Sequence, residues 1–239
     1  MEWWREMFAV PLWQRLQLGW EEADDADTDA DHVVRALGLT EPTRVLDVPC
    51  GTGRIASRLR TLGHEVVGID TTDRFVESAR DAGVPVIRAD MRTQIVRAGT
   101  FEAAVCLWGS FGYFDEEDNG MQARALIDAV RPGGRCLIDT LVADTLLPRF
   151  VADAAWSVGD IDVTESRRYD PKAKRIETTW SFASGDEHAT QVTSVRLYTL
   201  DELTDLLAAR GCTTFQAFDG ELEPFGEASE RLWLVATKG

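Results

Sequence analysis

Apolar residues recur along this chain in two rhythms. Between Arg44 and Thr140, short apolar runs of strand length alternate with segments whose apolar positions repeat every three or four residues. The runs are Arg44–Val48, "EVVGID" ending at Asp70, "VPVIRAD" ending at Asp90, "FEAAVCLWG" and "RCLIDT". The helical segments are Asp31–Leu37, Ile55–Leu62, one from a Thr72 N-cap through Ala82, and Asp115–Val130. Gly38, Gly63 and Gly83 stop the first three, and "RPGGR" closes the fourth. Strands alternating with helices at this spacing predict an α/β fold, with a parallel sheet and right-handed crossovers.

After Phe150 the rhythm changes. Residues 156–198 alternate at period two, with polar turns at Pro171–Lys174 and Gly185–His188, which predicts an antiparallel meander of three strands. "TLDELTDLLAARG" then gives a Thr199 N-cap, an amphipathic helix and a Gly211 stop. "CTTFQAF" and "RLWLVATK" add two more strands. At the other end, Trp3, Trp4, Met7, Phe8, Leu12, Trp13, Leu16 and Trp20 suit short amphipathic helices interrupted near Pro11. So many tryptophans predict a packed segment: a lid docked on the body, or alternatively a structural clasp or a dimer contact. With no repeats and no low-complexity linker, the economical organisation is one domain over 1–239. It comprises a helical lid (1–30), a core (31–150), an inserted meander (151–198) and the end of the core sheet (199–239).

Length and composition bound the chemistry. The 239 residues, 44% of them hydrophobic, can bury the core of a single domain. No apolar run approaches the ~18 residues of a membrane span, so no membrane partner is expected. "MEWWREMFAV" has no apolar leader core, which points to a cytoplasmic protein. A net charge of −16 repels phosphate backbones and argues against nucleic acid as a partner. The acidic run Glu21–His32 fits a solvated linker entering a helix N-terminus rather than a metal site. Cys50, Cys106, Cys136 and Cys212 are widely spaced and read as buried free thiols. His32 and His64 read as surface residues; His188 reaches a cleft only if the meander folds over it. Neither a Ser/His/Asp arrangement nor metal-ligand spacing is visible.

The stretch with most chemical content is "RVLDVPCGTGRIASRL", Arg44–Leu59. Gly51-Thr52-Gly53-Arg54-Ile55-Ala56 fits G-x-G-x-x-A, a turn that lets a backbone approach a ligand and presents a helix N-terminus to it. Dinucleotides and S-adenosylmethionine (SAM) both use such a turn. Three acids separate them. Asp47 precedes Gly51 by four residues, and Asp70 and Asp90 end the next two strands. An acidic rim suits a cationic nucleoside without phosphates and opposes a pyrophosphate.

From Thr43 to Gly134 the chain resembles the class I SAM-dependent methyltransferases. "LDVPCGTGR" is similar to that family's glycine motif and "VVGID" to its ribose-binding acid. "ADM" is similar to the adenine-contacting motif, "FEAAVCLWGSFGYF" to the fourth strand and its loop, and "RPGGR" to the turn before strand five. Within the class, the "SFGYF" loop and the meander resemble bacterial small-molecule methyltransferases such as the amino-sugar N,N-dimethyltransferases. The resemblance implies a Rossmann-like, doubly wound, mostly parallel seven-stranded sheet with a C-terminal antiparallel hairpin. It also implies SAM as cofactor and S-adenosylhomocysteine as product. By the same match Gly51 and Gly53 carry SAM backbone contacts, Asp70 the ribose hydroxyls, and Asp90 and Met91 the adenine. Asp47 acts on the SAM amine or braces the loop, and Leu107 and Trp108 face the methyl-donor end. Loop-capping through backbone N–H groups is the alternative for Asp47 and Asp90.

Methyl transfer needs alignment and a dry site, and a base only when the nucleophile arrives protonated. Tyr113 is the first choice for a substrate contact, against a packed tyrosine. Arg196 is a candidate for an anionic group on the substrate, against an exposed strand-end arginine. The Asn/Asp-Pro-Pro-aromatic signature of nucleic-acid and glutamine methylation is missing; Trp108-Gly109-Ser110 occupies its slot. The expected function is methylation of N or O on a small-molecule acceptor by a monomer or homodimer. An NAD(P)-dependent Rossmann oxidoreductase and a non-catalytic SAM-binding subunit are the alternatives.

Overall fold

The expected strands between Arg44 and Thr140 all form in the computed structural model, which describes residues 2–23 and 26–239. Asp24 and Asp25, in the middle of the acidic run, lie outside the described residues. In chain order the elements begin α1 (Trp3–Ala9), α2 (Pro11–Ala23), α3 (Ala26–Leu37), β1 (Arg44–Asp47), α4 (Arg54–Thr61) and β2 (Glu65–Asp70). They continue α5 (Asp73–Asp81), β3 (Val86–Arg88), β4 (Phe101–Cys106), α6 (Glu116–Ala129), β5 (Val130–Thr140) and α7 (Ala143–Leu146). Then follow β6 (Asp153–Val158), β7 (Ile161–Asp170), β8 (Arg175–Ser184), β9 (Glu187–Arg196), α8 (Leu200–Ala208), β10 (Cys212–Phe218) and β11 (Leu232–Lys238). The chain divides into two compact units: Ala26–Leu146 with Tyr198–Gly239, and the N-terminal helices with Leu147–Leu197.

The larger unit is the expected α/β fold. Its seven strands lie in the order β10-β11-β5-β4-β1-β2-β3. β1, β2, β3, β4 and β5 run parallel, and β11 is antiparallel to both β5 and β10. Successive residues of a strand point to opposite faces, and both faces are apolar here. Leu46, Cys106 and Ile138 face a layer containing Leu126 and Ile127 of α6 and Leu203 and Leu207 of α8. Their neighbours Val45, Val105 and Leu137 face Val33 and Leu37 of α3, Ile55 and Leu59 of α4, and Ala79 of α5. The sheet is therefore doubly wound.

Several boundaries differ from expectation. α3 starts at Ala26, so the core unit takes in the end of the segment expected as a lid. β3 ends at Arg88, leaving Asp90 in the following loop. β5 absorbs the "RPGG" stretch expected as a turn. Thr199 caps α8 with a full capping box, whereas Thr72 heads α5 without a side-chain cap bond. Its hydroxyl goes to Asp70 instead. All four cysteines are buried free thiols. His64, expected at the surface, is buried at the start of β2, and burial lowers its pKa.

In the smaller unit the meander has four strands, β6-β7-β8-β9, not three. The added strand is β6, joined to β7 through Gly159 at φ 59, a conformation that lets two residues close a hairpin. α1 and α2 belong to this unit. Trp13 stands edge-on to Trp180 and Phe182 of β8, with ring centroids 5.7 and 6.0 Å apart. Trp20 stacks on Trp156 of β6 at 5.3 Å. A Cβ on Gly19 would come 2.9 Å from Val158, so this glycine sets how closely α2 approaches β6. These contacts pack the tryptophan-rich segment on the meander.

Candidate active site

In an open α/β sheet, ligands sit beyond the carboxyl ends of the strands where the strand order reverses. Here that place lies between β1 and its neighbour β4. The segments leaving those two ends are Val48–Gly53 and Leu107–Phe114, the two stretches in which the sequence concentrates its glycines and candidate contacts.

The first segment is pinned on both sides. Val48 N–H donates to the Val105 carbonyl and Cys50 N–H to that of Ile69, each at 2.9 Å. Gly51 (φ 53) and Gly53 (φ 82) then turn the chain into α4, both in the left-handed region that favours glycine. They do so for different reasons. A Cβ on Gly53 would lie 2.8 Å from the Cβ of Ala79, so that glycine permits α4 to pack on α5. A Cβ on Gly51 would meet nothing within 4 Å, so that residue opens onto free space.

Asp70 is the brace of this turn. Gly51 N–H donates to its Oδ2 at 3.0 Å and Thr72 N–H to its Oδ1 at 2.8 Å, and the Thr72 hydroxyl also donates to it. Burial raises its pKa and these donors pull it down. Asp70→Asn keeps the shape but turns one oxygen into a donor facing an N–H. It is expected to destabilise the protein by about 1–3 kcal/mol, read as a lowered urea midpoint. Asp47, at the end of β1, is 3% exposed. Burial, and then the neighbouring Asp70 charge, push it up to about 8. Near neutral pH it is mostly a neutral acid.

The second segment is held at Ser110 and Phe114 by amides of α6. Gln122 Nε2 donates to the Ser110 carbonyl at 3.0 Å and contacts the Met91 sulfur at 3.3 Å. Phe114 N–H donates to Asn119 Oδ1 at 3.1 Å, and Asn119 Nδ2 donates back to the Phe114 carbonyl at 2.9 Å. Between these anchors Tyr113 is half-buried, hydrogen-bonded to the Ser110 hydroxyl and within electrostatic reach of Asp70 and Cys106. Burial pushes its phenol up to about 12, so it remains a neutral hydroxyl. Leu107 packs into the apolar layer under α3 and α4, while Trp108 is exposed.

The open acidic rim expected from Asp47, Asp70 and Asp90 needs correction. Asp47 is largely neutralised by burial, and the Asp70 lone pairs are filled by the turn. Asp90 is ion-paired with Arg92, whose Nη2 lies 2.6 Å from its Oδ2. Arg92 also pairs with Asp118 of α6 and lies 4.4 Å from the Phe114 ring centroid. The geometry thus gathers Asp47, Gly51, Gly53, Asp70, Trp108 and Tyr113 around one edge and joins Asp90 and Met91 to it through Arg92 and Gln122. Arg196 belongs to the other unit, at the end of β9. It is 7% exposed rather than an exposed strand end, and its Nη1 donates to the Leu197 carbonyl at 2.6 Å.

Sequence reasoning missed Asp139, Arg231 and the arginines beside the turn. Asp139 is the penultimate residue of β5 and Asp47 the last of β1, so "LIDT" carried the same signal as "VLDV". Arg231 sits 92 positions away in sequence, before β11, and carried none. Among the described residues no helix is long and apolar enough to cross a membrane. Among the same residues no group of three or more His, Cys, Asp or Glu side chains is placed to hold a metal ion.

Residues 45–134 match the model of a methyltransferase domain. Over 107 residues the chain is 31% identical to the putative methyltransferase YqeM of Bacillus subtilis (strain 168), covering 42% of this chain and 43% of that one. Over 116 residues it is 36% identical to the 23S rRNA (uracil(1939)-C(5))-methyltransferase RlmD of Bordetella avium (strain 197N), covering 46% and 22%. The chain thus spans less than half the length of either relative. In fold it is similar to SAM-bound CalS10, an amino pentose methyltransferase from Micromonospora echinaspora. That match has a TM-score of 0.73 at 20% identity over 96% of this chain and 98% of that one. Sheet order, glycine turn and domain match agree: the fold is that of the class I SAM-dependent methyltransferases, whose cofactor is SAM.

Proposed function

We propose that this chain, whose residues 45–134 carry a methyltransferase domain, transfers a methyl group from SAM to nitrogen or oxygen of a small-molecule acceptor. The observation that carries the reading is the braced glycine turn at the strand-order reversal, open above Gly51 and backed by buried carboxylates. Residues here fit the cofactor: Gly51 leaves room for it, and Asp47 can ionise beside a cation. In this reading the Gly51–Gly53 backbone cradles the cofactor and Asp47 faces its ammonium group. Asp70 holds the turn on which the ribose rests, and Asp90 and Met91 border the adenine. SAM supplies an electrophilic methyl group, and Trp108 and Tyr113 stand where the acceptor must be aligned.

The state of Tyr113 narrows the acceptor. A phenol held near 12 does not act as a general base at neutral pH, although it can donate a hydrogen bond. An amine, which exchanges its proton with water before binding, suits such a site better than a hydroxyl that must be deprotonated in place. The fold likeness to an amino pentose methyltransferase supports the same class. RlmD by its name acts on rRNA, but the net charge of −16 opposes a nucleic-acid acceptor.

Titration calorimetry with SAM and with NADH tests the cofactor: SAM is expected to bind and NADH to give no heat. A panel of amino sugars, small amines, phenols and an rRNA fragment, read by mass spectrometry for one added methyl and by S-adenosylhomocysteine release, tests the acceptor. Failure to bind SAM sinks the proposal. Methylation of RNA alone overturns the small-molecule part.

A further inference from the structure

Trp108 combines two features that a purely structural residue avoids. Its backbone lies at φ 58, a strained conformation for a bulky side chain, and its side chain leaves the residue 52% exposed. Hydrophobic burial therefore does not hold it there.

What holds it is Asp139. The Trp108 N–H donates to Asp139 Oδ2 at 2.8 Å, and the next N–H, of Gly109, donates to the Asp139 backbone carbonyl at 3.1 Å. Asp139 is 4% exposed and is matched by a fork: Arg231 Nε and Nη2 donate to Oδ1 and Oδ2, both at 2.8 Å. Such a two-point, charge-assisted bond fixes direction as well as charge. The same Arg231 guanidinium lies 5.9 Å from the centroid of the Trp108 ring, and that of Arg54 lies 4.7 Å away. Arg54 follows Gly53 directly and is tied to Asp29 at 2.8 Å. The indole therefore borders the glycine turn within the length of one side chain.

We propose that Asp139 and Arg231 are positioning residues that clamp the Trp108 turn and so fix its indole as one wall of the site where the methyl group is transferred. The inference rests on the function proposed above. An indole held there shields the reacting centre from water and limits the approach of the acceptor. Asp139 acts through the backbone of Trp108 and Arg231 acts through Asp139; neither touches the reacting atoms.

Two measurements on the full chain decide it. The protein has eight tryptophans, so the near-UV circular dichroism difference between wild type and Trp108→Phe isolates this indole. Arg231→Gln and Asp139→Asn are expected to lose most of that difference signal, and Arg231→Lys, which keeps charge but not the fork, to retain part of it. With the best acceptor from the panel, Arg231→Gln is expected to lower kcat about tenfold or more while KM for SAM moves less than about threefold. Should Asp139→Asn not fold, the two Arg231 variants carry the comparison. An unchanged difference spectrum in Arg231→Gln, or a proportional rise in KM with kcat intact, overturns the clamp. A wild type that does not bind SAM overturns the functional reading and the wall with it, while the spectra still report whether the pair orders the indole.

Discussion

Gly53→Ala and Gly51→Ala, each one added methyl group, are expected to fail in different ways. At Gly53 the methyl group meets the Ala79 Cβ at 2.8 Å and its Cα at 3.0 Å, on a backbone at φ 82. A left-handed conformation costs about 1–2 kcal/mol for a residue with a Cβ. Overpacking of a filled contact adds about 1–3 kcal/mol. Neither neighbour is the end of a flexible side chain, so the contact is relieved only by moving α4 against α5. The expected loss of stability is about 2–5 kcal/mol, or roughly 5–15 °C in Tm for a chain of this size. At Gly51 the backbone term is similar but the methyl group enters open space. Gly51→Ala is therefore expected to fold with a loss of about 1–2 kcal/mol. Its SAM affinity is expected to fall tenfold or more, about 1.4 kcal/mol in binding. Thermal melts and calorimetry on the two variants check the split. Unchanged SAM affinity in a folded Gly51→Ala removes the cofactor from the space above the turn.

That split was legible in the sequence only in part. A strand ending in an acid, followed by two glycines and a helix, announces a turn needing positive φ, because no other residue adopts it without strain. The spacing does not say which glycine faces a helix and which faces a ligand. The doubly wound core was legible because both faces of each parallel strand are apolar, so Val45–Leu46 and Val105–Cys106 read as unbroken runs. β6 was missed because "DAAWSV" is short and its turn at Gly159 is only two residues long.

Charge state was the least legible property. Sequence reading gave Asp47, Asp70 and Asp90 separate contacts but one shared field, a row of negative side chains along the open edge of the sheet. In the fold burial neutralises Asp47, backbone N–H groups occupy Asp70, and Arg92 pairs with Asp90. Asp139, a further acid beside the end of its strand, is matched by Arg231 across 92 positions of sequence. A carboxylate's partner is set by tertiary structure, so residue type and position alone do not give the field it produces. Under the proposed function, cofactor selection would rest less on a standing row of charges than on one group that can change its state.

Asp47 is that group, and it yields two trends of opposite sign. Its pKa stands near 3.8 in the unfolded chain and at about 8 in the folded one, raised mainly by burial and then by Asp70. Between those values the folded protein holds a proton that the unfolded chain has released. Stability contributed by this group is thus complete below pH 4 and is lost as pH rises toward 8. Binding of a cation beside Asp47 favours its ionised form, so SAM affinity is expected to rise over the same range. The ceiling is about tenfold per pH unit, levelling above pH 8. Calorimetry near pH 7 in two buffers of different ionisation enthalpy is expected to show release of close to one proton on binding. Asp47→Asn removes the titration and is expected to flatten both curves, and to weaken SAM at pH 8.5 more than at pH 6. Falling stability with rising affinity across one pH window is hard to produce by general electrostatics, which at a net charge of −16 would change stability and ligand binding without converging on one residue. If affinity is flat from pH 6 to 8.5 in the wild type, Asp47 does not face the cofactor's charge, and its place beneath the glycine turn is purely structural.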